Sequence, residues 1–215
     1  MGCLFWGALL VLLSGNLGGL GYTTINQTFT LFDLISRLEL FNQLPNYLGY
    51  FLLWLGFRRF FSLRPSKIRQ AGLLLFTVIA PIQQYLEHYS IGGAAEFVFT
   101  GLNLAGQIFA LVSLGLLAEA MHGEAGEPVT RRRTVTVTAV FLALSLPGLV
   151  RAVEDCSGVV GGGADILFGQ ISSVFRFARF LFAIWVLYDL HRTIVVYDRS
   201  CALRSLTTDP KGRQI

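Results

Sequence analysis

Charge is what this sequence lacks most. Only 14% of its 215 residues are Asp, Glu, Lys or Arg, against roughly 25% in an average soluble domain. Residues 1–32 carry no charged side chain at all. That shortage excludes an ordinary soluble domain. Cysteine is also scarce: Cys3, Cys156 and Cys201 show no C-x-x-C spacing. A disulfide framework and a paired-thiolate metal site are therefore not expected, and each reads as a small apolar residue in or near a helix. The opening Met-Gly-Cys resembles an acylation signal, but Trp6 stands where that motif needs Ser or Thr. No G-x-S-x-G and no H-E-x-x-H occurs, and Gly161-Gly162-Gly163 lacks the Lys-Ser/Thr that follows in a phosphate loop. We expect no cofactor, no metal and no catalytic residue from these patterns.

What is present is apolar chain. Hydrophobic residues make up 53% and the mean hydropathy is +0.60. A bilayer core about 30 Å thick is crossed by about 20 mostly apolar residues in a helix. The expected fold class is all-α: a polytopic membrane helix bundle with about six crossings. They fall near 3–20, 46–61, 71–89, 94–120, 134–151 and 166–196, in one domain over 1–197, with a polar cytoplasmic tail over 198–215.

The first segment has the apolar core of a signal peptide. It lacks a positive n-region and an A-x-A site, so a retained helix is expected. Between it and the second lies a different pattern. Leu31, Leu34, Ile35, Leu38 and Phe41 share one helical face, away from Asp33, Arg37 and Glu39. That predicts an amphipathic helix over 28–44, lying in the interface or packed on the rim of the bundle. Pro45 suits the start of the second helix, and Pro81 predicts a kink in the third. The stretch SLRPSKIRQ reads as a basic loop. Thr134-Val-Thr-Val-Thr-Ala-Val140 alternates like a strand, but a lone strand cannot satisfy its backbone in lipid, so a helix is expected. Pro147-Gly148 marks that helix's end or a kink, and 151–165 reads as an acidic loop.

Thirteen of the seventeen Lys and Arg fall in three places: Arg58 to Arg69, Arg131 to Arg133, and the stretch after Asp189. The intervening loops carry mostly Asp and Glu. The positive-inside rule then puts both termini in the cytoplasm. The net charge of +4 reads as orientation charge and not as a nucleic-acid surface. The partners expected are the lipid bilayer, and a membrane protein partner or a second copy of the chain.

Two polar clusters are candidate ligand sites. Arg176 and Arg179 lie three apart inside the sixth segment, on a face with Gly169, Ser172 and Ala183. An intramembrane arginine wants an anionic or carbonyl partner. Glu96, Glu87 and Asp165 are the acidic candidates, and the site would suit an anionic solute or lipid headgroup. The competing reading is an ion pair that fixes helix packing, or arginines that snorkel outward. Gln83, Gln84, Glu87 and His88 form the second cluster, beyond Pro81. It reads as a proton relay or, more simply, as an interfacial polar cap. Asn103 and Gln107 share a helical face, and Gly101, Ala105 and Gly115 offer small surfaces for close helix contact.

The first 60 residues carry a resemblance. Leu44, Pro45, Asn46, Tyr47, Leu48, Gly49 and Tyr50, then Gly56, Phe57, Arg58 and Arg59, resemble a segment of a group of uncharacterised bacterial integral membrane proteins. In that group a first helix precedes L-P-[D/N]-[F/Y]-[I/L]-G-Y, an apolar run and a Gly-Leu-basic ending. Asn46 stands where Asp is expected, and the first loop here carries the added amphipathic segment. The resemblance implies a bacterial inner-membrane location and supplies no mechanism. Three function classes follow: a non-enzymatic membrane component that binds a partner or itself, a small transporter or channel using Arg176 and Arg179, and a lipid-handling enzyme. The last is the least supported, because no nucleophile or metal set is visible.

Overall fold

The computed structural model describes six α-helices: α1 (Gly2–Leu17), α2 (Asn46–Arg59), α3 (Lys67–His88), α4 (Ala94–Ala125), α5 (Arg132–Ser157) and α6 (Ala164–Thr207). These are the described residues, and no strand occurs among them. The amphipathic helix expected over 28–44 lies outside them, as do residues 208–215 of the tail.

Three stretches are long and apolar enough to cross a membrane: Gly101–Ala125, Arg133–Val150 and Phe177–Leu203. α1 contributes a shorter apolar helix, Gly2–Leu13. The alternating Thr-Val run is helical, as lipid requires of an isolated segment. Two hydroxyls of α5 bond back to their own helix. Thr138 donates to the Thr134 carbonyl at 2.8 Å, and Ser145 to the Phe141 carbonyl at 2.7 Å. Such back-bonding lets a helix carry Ser and Thr in apolar surroundings without a neighbour's help.

Three boundaries extend beyond the sequence expectation. α3 begins at Lys67, inside the stretch read as a basic loop. α5 runs through Pro147 and on to Ser157. α6 runs on to Thr207, through the first part of the expected tail, for 44 residues in all. Pro81 also lies inside its helix. A proline frees one carbonyl and crowds one turn, and neither α3 nor α5 stops there.

Consecutive helices run antiparallel. α1 and α2 make the closest pair, and glycine is the reason. A Cβ on Gly7 would sit 2.7 Å from the Leu53 backbone nitrogen and 2.8 Å from the Gly49 carbonyl oxygen. A Cβ on Gly56 would meet Leu4 in the same way. The two backbones therefore touch where both sequences are bare. α3 packs on α2 through the stacked rings of Tyr50 and Phe76, and on α4 through Phe76 and Phe109. α4 is the central helix, meeting α1, α3, α5 and α6.

The surface is apolar and the interior holds polar groups. On α6, Ala183, Leu187, Leu190 and Ile194 form a buried stripe, while Leu181, Ile184, Trp185 and Tyr188 face outward. On α5, Val135, Val140, Leu142, Leu146, Val150 and Val153 are exposed, whereas Phe141 and Ser145 are buried. Gln107, Ser113, Ser145 and Thr193 are buried in turn. So continuous an apolar surface is far beyond what a soluble monomer leaves to water.

Candidate functional site

Two polar places lie in the bundle, and α6 supplies a cation or an anion to each. The first is in its middle. Arg179 donates a hydrogen bond to the side-chain oxygen of Gln107 on α4. Its guanidinium also lies 4.5 Å from the centre of the Phe141 ring on α5. One side chain thus ties three helices together. Guanidinium offers only donors, so the oxygen of Gln107 must be the atom that faces it. The Gln107 NH2 group, on a residue only 1% exposed, has no hydrogen-bond partner among the described residues. A ring face and an amide oxygen each offer partial negative charge to the cation.

Of the residues expected at this site, Arg179 is therefore in place, with Ala183 buried one turn on. Arg176, Glu96, Glu87, His88 and Gln84 lie on described helices, but their side chains fall outside the described residues. The small residues divide. Gly115 packs closely against Thr134, whereas a Cβ on Gly101 would meet nothing within 4 Å, and Ala105 is exposed.

The second place had no sequence signal of its own. It is a cleft of about 180 Å³ between α4, α5 and α6, with Ala8 of α1 at its wall. Leu111, Leu114, Val137, Trp185 and Leu190 line it with apolar surface, and Glu119, His122, Arg133 and Asp189 gather at the polar part. Arg133 and Asp189 form an ion pair between α5 and α6. The Thr134 hydroxyl donates to Glu119 at 2.5 Å, joining α5 to α4. Thr193 closes the set. Its hydroxyl donates to the Asp189 carbonyl at 3.0 Å, which uses its single proton. It must therefore accept from Nε2–H of His122, 3.2 Å away, and that fixes the tautomer of a neutral imidazole.

These contacts also define one end of the bundle. Leu4 lies by Gly56, Phe5 packs edge-on against His191 at 6.0 Å, and the α4, α5 and α6 polar groups join them. The start of α1, the end of α2, the end of α4 and the start of α5 therefore share a level with the 189–193 turns of α6. Arg58 stands at the same end with its guanidinium 5.2 Å from the Trp54 ring.

No family model, no curated protein and no solved structure matches this chain. Its chemistry has to be read from its own residues. Among the described residues no group of three or more His, Cys, Asp or Glu is placed to hold a metal ion.

Proposed function

We propose that this chain is a multi-pass component of a bacterial inner membrane that binds a partner protein or a second copy of itself without catalysing a reaction. The observation that carries the reading is the overhang of α6. Gln107 pairs with Arg179 and His122 with Thr193, so α4 and α6 run parallel in near register. Ala125, the last residue of α4, then lies level with about Val196. The helix from there to Thr207 therefore projects about 16 Å beyond the end of α4, at 1.5 Å per residue. Arg199, Cys201, Ala202 and Leu203 on this extension are exposed. A continuous helix held at its base by a bundle is a preordered surface for another helix, and preordering lowers the entropy lost on binding.

About six crossings, with both termini cytoplasmic, suit the charge pattern and the antiparallel run of the helices. The bacterial location rests on the resemblance of the Leu44–Arg59 segment. The test is the mass of the protein in detergent, measured by light scattering, for the full chain and for one ending at Asp198. A full chain that is dimeric or larger, with a shortened chain that is monomeric, supports self-association through the overhang. Equal masses would end that form of the reading.

Arg179 favours a second reading, a small transporter or channel for an anionic solute or lipid that uses Arg176 and Arg179. A half-buried cation in an apolar bundle is the feature such a path needs. Anion flux into liposomes that Arg179→Gln abolishes would support it, and flux unchanged by that variant would end it.

A further inference from the structure

We infer that the cleft between α4, α5 and α6 binds the ammonium group of an amphiphile, with Glu119 as counter-ion and the Trp185 ring as its π-face. Charge gives the sign of the ligand. Four ionisable groups line the cleft: Glu119, His122, Arg133 and Asp189. Arg133 and Asp189 neutralise each other. His122 bonds to Thr193 of α6. Glu119 remains, and among the described residues its partner is a hydroxyl, Thr134, with no cation. A half-buried carboxylate without a counter-ion is costly in so apolar a setting, and a cationic ligand supplies what is missing.

Shape gives the rest. Trp185 lines the same cleft and is 47% exposed. An indole face beside a carboxylate is the pairing that recognises substituted ammonium groups. The other walls, Leu111, Leu114, Val137 and Leu190, are aliphatic and suit the first carbons of a chain. The volume of about 180 Å³ is near that of a cavity of about 150 Å³ that takes benzene. It holds a headgroup and a few carbons, so a longer chain must leave towards lipid. The site does not depend on self-association, because every wall comes from one copy.

An ammonium on an alkyl chain has two sources, a phosphatidylethanolamine headgroup or a free alkylammonium amphiphile. The full chain would be placed in nanodiscs of equal phosphatidylethanolamine and phosphatidylglycerol, and bound lipid counted by native mass spectrometry. Dodecyltrimethylammonium would be titrated separately and its binding followed by calorimetry, a readout that a Trp185 variant keeps. Retention of phosphatidylethanolamine over phosphatidylglycerol assigns the site to lipid; saturable binding of the alkylammonium alone assigns it to the free amine. In either case Glu119→Gln, which keeps an acceptor for Thr134, and Trp185→Leu should each weaken binding by about tenfold. Arg133→Gln leaves Asp189 as a second anion in the cleft and should tighten binding. The inference is overturned if both lipids are held equally and the alkylammonium does not bind saturably, or if Glu119→Gln and Trp185→Leu proteins that melt like the parent bind as it does.

Discussion

At the scale of single residues, the constraint least able to yield is backbone against backbone at Gly7. On Gly7 the atoms a Cβ would meet include the nitrogen of Leu53 and the oxygen of Gly49, which cannot swing aside as a side chain can. Gly7→Val is expected to part α1 from α2 and lower stability by about 1–3 kcal/mol, the range for overpacked sites. Gly101→Ala is the contrast, with open space around its Cβ; helix propensity alone should raise stability by about 0.5–1 kcal/mol. Thermal melts of the two variants in one detergent check both signs. Arg179 yields a second test. Gln107→Leu removes the amide oxygen from a half-buried cation and is expected to cost about 1.5–3 kcal/mol, and Arg179→Met on top should recover part of that loss. An additive double variant would show that the two side chains do not act as a pair. The sequence marked Arg179 as an interior cation and marked Gln107 as polar, but not that they meet. Like-with-opposite charge matching favoured Glu96, Glu87 and Asp165. Their side chains lie outside the described residues; helix register, set by apolar packing 72 residues apart in sequence, brings Gln107 to Arg179.

At the scale of helices, the apolar runs were legible because hydropathy over a whole turn is a sum of many side chains. The ends were less so. SLRPSKIRQ carries Lys67 and Arg69, and cations oppose the dipole of a first helical turn, so that stretch looks like a loop, yet α3 starts at Lys67. Pro147-Gly148 looks like a stop, yet α5 passes through, with the Ser145 hydroxyl bonded back to Phe141 just before it. Local propensity loses at both places to the packing of a long apolar face. The overhang of α6 is the largest such miss, since its polar composition reads as a tail. It carries a clear expectation. A chain ending at Asp198 keeps the whole buried stripe of α6, Ala183, Leu187, Leu190 and Ile194, so its melting temperature should stay within a few degrees of the full chain. A large fall would mean that residues past Arg199 brace the bundle.

At the scale of the whole molecule, one end is set apart by three independent features. Basic residues cluster in the segments that meet there, from Arg58 to Lys67 and from Arg131 to Arg133. The polar cleft opens there. Trp6 and Trp54 share its level, because Leu4 lies by Gly56 and Gly7 by Leu53. Tryptophan favours the depth of the lipid headgroups and Lys/Arg excess favours the cytoplasmic side, so this end should be the cytoplasmic interface. In a background with Cys3, Cys156 and Cys201 replaced by Ser, a single cysteine at Ser66 is expected to react with a membrane-impermeant maleimide only in inverted vesicles or lysed cells. A cysteine at Ser90, beyond the far end of α3, should react in intact spheroplasts. The pair distinguishes a reversed protein from a protein with a different number of crossings. Exchange of the two patterns would reverse the molecule, whereas reaction of both sites from one side would mean that α3 does not cross. The second result would leave the three stretches in α4, α5 and α6 as the membrane-spanning core, with α1 to α3 packed on its flank.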